Sequence, residues 1–115
     1  MTWQEKIEDK LQNQKNKVVS INIDKETISY SEKIKLHRQI ESCKGDEEKV
    51  RAYLIDRLIN ELDYPAELIE IEKTYDVKIG RDTKKPRIDV IVKDKEDNPF
   101  FFIEVKAPDK FEADK

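Results

Sequence analysis

Asp89, Glu104 and Lys106 fall within PRIDVIVKDKEDNPFFFIEVKAP, the stretch from Pro86 to Pro108. Two apolar runs flank a short polar turn there, so each of these charges interrupts what reads as a strand. Side chains alternate along a strand, which puts Glu104 and Lys106 on one face with Phe100 and Phe102. If residues 95–98 form a four-residue hairpin loop, Asp94 lies opposite Pro99 and, counting inward, Asp89 lies opposite Glu104. Directly opposed side chains stand about 5 Å apart at Cβ, and like charges there repel. Two carboxylates held in that way on apolar strands call for a cation. Mg²⁺ fits, because it takes one or two carboxylates and completes its shell with water and substrate phosphate. A one-residue slip would turn Asp89 to the other face, so the register decides the matter.

The triplet alone says little. Acid-x-Lys occurs five times in the chain, beginning at Glu8, Glu47, Asp76, Asp82 and Glu104. The last is distinguished by the Phe-Phe-Phe-Ile that precedes it, since charges in buried strands are scarce unless paired or functional. A basic group, Arg81, Lys84, Lys85 and Arg87, comes just before Asp89. It reads either as a solvated loop or as phosphate contacts that position a nucleic acid without choosing its sequence.

The elements that must hold these residues show in the apolar periodicity. Trp3, Ile7 and Leu11 make a narrow helical stripe within residues 2–16. VVSINID (18–24) alternates as a strand and turns through Asp24-Lys25-Glu26 into TISY. Residues 31–41 read two ways: Ile34, Leu36 and Ile40 fit strand alternation, while the charged composition favours a helix. Asp46 is placed as the N-cap of a helix running to about residue 63, with Glu47 and Glu48 in its first turn. Val50, Leu54, Leu58 and Leu62 recur every four residues as its buried face, which Tyr53, Ile55 and Ile59 widen, and Arg51 inside that arc is a candidate buried ion-pair partner. Residues 68–80 alternate as one long strand with one wet face.

At 115 residues, 43% charged and 37% hydrophobic, the chain makes one modest core with a heavily solvated surface. A net charge of −3 gives no global attraction to nucleic acid, so such binding needs a local basic patch. A single cysteine, Cys43, excludes an internal disulfide and a cysteine-built zinc site, and it reads as an incidental thiol in a polar loop. The sole histidine, His37, has no partner at metal-binding spacing and reads as structural. No apolar run spans a bilayer and the N-terminus carries no signal peptide, so a cytoplasmic protein without membrane contact is expected. The fold class expected is α+β (α/β-like): a mixed β-sheet with a central antiparallel hairpin and a covering helix. The division expected is an N-terminal extension over residues 1–45 and a core over residues 46–115.

IDVIVKDKEDNPFFFIEVKAP resembles the core motif of the PD-(D/E)xK nuclease superfamily. Together with DEEKVRAYLIDRLINELDYPAELIEIEKTYDVKIGR it is similar to the N-terminal nuclease domain of type I restriction enzyme R (motor) subunits. The resemblance covers roughly Asp46 to Lys110, with Ile88 where the motif's proline would stand. It implies a restriction-endonuclease-like core in which Asp89, Glu104 and the Val105 carbonyl bind Mg²⁺. Lys106 would position the attacking water, and Glu48, with Glu47 as the close alternative, would support the metal from the first helix. It further implies that the core continues past Lys115 into a helix carrying an active-site glutamine, so the C-terminal end of the core is expected to be truncated. The implied partners are double-stranded DNA and the modification and specificity subunits, with ATP used only by motor domains outside this chain. The rival expectations are a non-enzymatic DNA-binding or docking module of the same fold, and a structural α+β interaction domain.

Overall fold

The structure, a computed structural model, describes residues 2–106. Helix α1 (Trp3–Gln12) starts where the Thr2 hydroxyl accepts the Glu5 N–H, and it buries Ile7 and Leu11 as the stripe predicts. Strands β1 (Val19–Asn22) and β2 (Thr27–Tyr30) pair antiparallel across the expected turn, where Glu26 takes a φ of 55°. Of the two readings of residues 31–41, the helix is absent. Lys35–Leu36 instead forms β3, which pairs in parallel with the later strand β4 (Ile69–Thr74), and His37 N–H extends the ladder to the Ile71 carbonyl at 3.1 Å. Helix propensity yields here to the burial of Ile34 and Ile40 and to side-chain partners on β4 for His37 and Arg38.

Helix α2 (Asp46–Asp56) is capped by Gly45 rather than Asp46, which becomes its first residue. It then widens into a π-turn over Arg57–Glu61, closed by Leu62 N–H on the Arg57 carbonyl. The wider turn breaks the every-four series, so Leu58 is buried while Leu62 is left 59% exposed. The centre of the buried face is Ala52, Ile55 and Ile59; Val50, Tyr53 and Leu54 flank it, partly buried. Cys43 is fully buried in the same core, not in an exposed loop.

The main sheet has the order β3-β4-β7-β8, with β7 at Arg87–Lys93 and β8 at Pro99–Ile103. It is mixed, as expected: β3 runs parallel to β4, and the other pairings are antiparallel. The predicted strand over 68–80 divides into β4 and β5 (Val77–Ile79), and β5 pairs with β6 (Asp82–Lys84) as a separate ribbon. The register is nonetheless continuous, because Thr74 faces Arg87 and Val77 faces Lys84 in one uninterrupted count. Pro86 makes the break: it has no N–H to donate, and only its carbonyl bridges the gap, accepting Tyr75 N–H at 3.1 Å. The ribbon turns on Gly80-Arg81, where Gly80 has a φ of 64° at the first central position, as a type II′ hairpin requires.

One hydrophobic core joins both parts of the chain. Ile7, Leu11, Val18, Val19, Ile28, Ile34, Ile40 and Cys43 pack with Ala52, Ile55, Ile69, Ile71, Val90 and Val92 in a single cluster.

Candidate functional site

The pairing of β7 with β8 decides whether the charged residues meet. Val90 faces Ile103 and Ile91 faces Phe102, so the next position inward sets Asp89 opposite Glu104. The turn end differs from the expectation. Lys93 pairs with Pro99 and a bulge follows, so the loop is five residues, 94–98, rather than four. Asp94 organises it by accepting N–H bonds from Glu96 and Asn98. The bulge absorbs the extra residue and leaves the inner register unchanged.

Asp89 is fixed in two ways. Its Oδ2 accepts the Val105 N–H at 2.9 Å, which ties its carboxylate to the strand end carrying Glu104 and Lys106. Its backbone carbonyl accepts a guanidinium N–H of Arg51 at 3.4 Å. An open cleft of about 1110 Å³ collects Asp89, Glu104, Val105 and Lys106, with Lys85 and Arg87 on its rim and Glu47 contributed by α2. Of the expected DNA contacts, Lys85 and Arg87 therefore reach the cleft, while Arg81 and Lys84 lie outside its lining, exposed on the β5–β6 ribbon. Of the two glutamates considered on α2, Glu47 lines the cleft. Glu48 lines a smaller recess of about 110 Å³ behind Asp89, which Glu47 also borders. Glu48 is occupied there by Arg51, and it accepts the Tyr30 hydroxyl at 2.6 Å.

That recess holds a buried ionic chain that the sequence signals only through Arg51. Arg51 is 5% exposed and pairs with both Glu48 and Glu72, reaching the latter at 3.0 Å. Glu72 is 6% exposed and is also gripped by Arg38 from the segment after β3. Burial opposes the charge on Arg51, but the two carboxylates outweigh it and raise its pKa further. The Arg38 hydrogen bond, with help from Arg51, lowers Glu72 to about 2 against the cost of its burial. Burial and the neighbouring Glu48 carboxylate push the Tyr30 phenol well up. Glu72 has a φ of 58° inside a strand, unusual for a side-chain-bearing residue, and alternation alone would not have revealed it.

A second buried carboxylate, Glu70, is met by Lys93 at 2.6 Å and by His37 at 2.5 Å. Burial raises its pKa, but Lys93 and His37 overcome this and hold it at about 2. Both glutamates are thus depressed below the unfolded value of about 4.3. The stability they contribute is complete above that value and is lost as pH falls towards 2. We expect urea unfolding to show a loss of roughly 2–3 kcal/mol per carboxylate across this window. A Glu70→Gln, Glu72→Gln chain should differ from the parent at pH 6 and converge with it near pH 2. A difference that persists unchanged at pH 2 would refute this.

Among the described residues, no three acidic, histidine or cysteine side chains form a preassembled metal cage. The donors there are all oxygens, two carboxylates and a backbone carbonyl at one strand end, a set whose chemistry fits a hard cation such as Mg²⁺ or Mn²⁺ and not a thiolate- or imidazole-seeking metal. The Val105 N–H donates to Oδ2 of Asp89 and so orients the carboxylate. No helix of the described residues is long and apolar enough to cross a membrane.

A search of curated proteins finds no match to the chain. A family model does match: the Type I restriction enzyme R protein N terminus, over residues 46–114, which takes in α2, β4, the β5–β6 ribbon, and the strands β7 and β8 beside the cleft. On that match the chain belongs to the family of type I restriction enzyme R protein N termini.

Proposed function

We propose that this chain is the Mg²⁺-dependent nuclease domain of a type I restriction enzyme R subunit, of PD-(D/E)xK type. It would hydrolyse phosphodiester bonds in double-stranded DNA within a complex that includes modification and specificity subunits. The observation that carries the reading is the convergence of Asp89, Glu104 and Lys106 in one cleft, on neighbouring strands whose register runs from Ile91–Phe102 and Val90–Ile103 towards Asp89 and Glu104. Asp89, Glu104 and the Val105 carbonyl would hold the ion. When bound, it supplies Lewis-acid polarisation of the phosphate and a lowered pKa for coordinated water.

The chain's own residues do the rest. Lys106 is exposed in the cleft and is the cation placed to orient a water and to offset charge on the phosphate. Glu47 borders the same space from the N-terminal turn of α2, and it takes the helix-borne role first given to Glu48. Arg51 holds the Asp89 backbone from behind, which limits movement of the β7 end of the site. Lys85 and Arg87 at the rim, followed outward by Lys84 and Arg81, form a basic path for the DNA backbone.

Calorimetric titration with Mn²⁺ tests the reading. The parent chain should bind one ion weakly, and Asp89→Ala and Glu104→Ala should each abolish binding. Unchanged affinity in both variants would overturn it. Metal affinity that is absent or unchanged by those substitutions, together with DNA binding that weakens when Lys84 and Lys85 become Ala, would favour a non-catalytic DNA-binding module instead.

A further inference from the structure

The β5–β6 ribbon carries more than its basic residues. Its six paired residues are all exposed, among them Val77 at 42% and Ile79 at 62%. In an antiparallel pair opposed residues share a face, so Val77, Ile79, Asp82 and Lys84 lie on one side of the ribbon. Two β-branched apolar side chains next to a turn, both partly open to solvent, make a small apolar ridge. Charge surrounds the ridge. From Asp76 to Arg87 there are five cations, Lys78, Arg81, Lys84, Lys85 and Arg87, against two acids, in a chain whose net charge is −3. The ribbon's far end is the Gly80-Arg81 turn and its near end opens onto the cleft through Lys85 and Arg87.

We infer that the β5–β6 ribbon enters the major groove of duplex DNA, with Ile79 and Val77 as its apolar contact to the base edges. The local positive charge selects a polyanion as occupant. Strands about 4.8 Å apart make a ribbon that a groove about 12 Å wide admits. The apolar group on the floor of that groove is the thymine C5-methyl, so the ridge would favour thymine while the cations grip the phosphates. The register that runs unbroken from β4 through β5 couples the ribbon's position to that of the cleft. This inference rests on the reading of the chain as a DNA-cleaving domain, but it is tested by binding rather than by cleavage.

The experiment is fluorescence anisotropy of the full chain with a labelled duplex in metal-free buffer, over a range of salt. Ile79→Ser with Val77→Thr should weaken binding about four- to tenfold, the scale expected for lost methyl contacts, and leave the salt slope unchanged. Replacing thymine by deoxyuridine, which lacks the methyl, should weaken binding by the parent chain and have no effect on the variant. Equal affinity of parent and variant for the thymine duplex would overturn the inference. So would a variant that differs only in self-association, since the ridge would then serve a second copy of the chain. Binding with the expected thymine effect but no Mn²⁺ binding that depends on Asp89 and Glu104 would remove the nuclease reading and leave the ribbon's role standing.

Discussion

Arg51→Met is expected to destabilise the protein by about 3–5 kcal/mol, the range for removing one partner of a buried ionic group. That is a large part of the roughly 5–15 kcal/mol that holds a domain of this kind together. The guanidinium lies between Glu48 and Glu72, both nearly buried, and it also touches the Asp89 carbonyl. Methionine fills much of the volume but leaves two carboxylates facing one another with only Tyr30 and Arg38 as partners. Neither supplies what Arg51 did, because Tyr30 is neutral and Arg38 reaches only Glu72. The loss should shrink as pH falls and Glu72, without the Arg51 hydrogen bond that helps to lower its pKa, takes up a proton. Urea denaturation at pH 7 and pH 4 checks both the size and the sign. A loss under 1 kcal/mol at pH 7 would mean that the chain of ion pairs contributes little. Replacing Glu48, Arg51 and Glu72 together by apolar residues of similar size should recover much of the stability, since an apolar cluster escapes the desolvation cost.

Asp89→Asn should reduce Mg²⁺-dependent cleavage by an intact R subunit on the order of a thousandfold or more, while hardly altering the fold. Asparagine can still accept the Val105 N–H, so the strand end that carries Glu104 and Lys106 stays in place. What disappears is the negative charge. A metal contributes several kcal/mol of transition-state stabilisation, and each ~1.4 kcal/mol is a factor of ten in rate. Lys106→Met should give a loss of similar order without weakening metal binding, because lysine is no ligand. Plasmid nicking rates in the assembled complex, read beside thermal melts of the same variants, separate the two effects. Cleavage within tenfold of the parent for Asp89→Asn would place the chemistry elsewhere.

The most informative residues in the sequence were those that broke an apolar run. Asp89, Glu104 and Lys106 stood out because alternation and loop length fix a strand register, and the bulge near Lys93 happened to absorb the one error in the loop. The family motif followed from the same residues. Two kinds of feature were illegible. One depends on contacts far apart in sequence: Arg38 with Glu72, His37 with Glu70, and the parallel docking of Lys35–Leu36 beside β4. No local pattern records a partner more than thirty residues away, so over residues 31–41 the alternation of Ile34, Leu36 and Ile40 stands against a composition that favours helix, and nothing local decides between them. The other is local but lacks a distinctive residue type. The π-turn at Arg57–Glu61 and the positive φ of Glu72 involve ordinary residues, and only the surrounding packing selects them. Pro86 was a readable signal: a proline between two alternating runs marks where a ladder lapses, and the unbroken reading of residues 68–80 overlooked its effect on the opposite strand.

The shared core has a consequence for anyone moving this domain between R subunits. The family match begins at Asp46, yet the groups that brace the site from behind include Tyr30 and Arg38, and Leu11, Val19 and Ile34 pack among the same apolar side chains as Ile55 and Ile71. A graft spliced at residue 46 would divide one cooperative body and leave two buried glutamates short of partners. The unit that can be transplanted starts at α1, so the recognisable part of this domain is smaller than the part that folds.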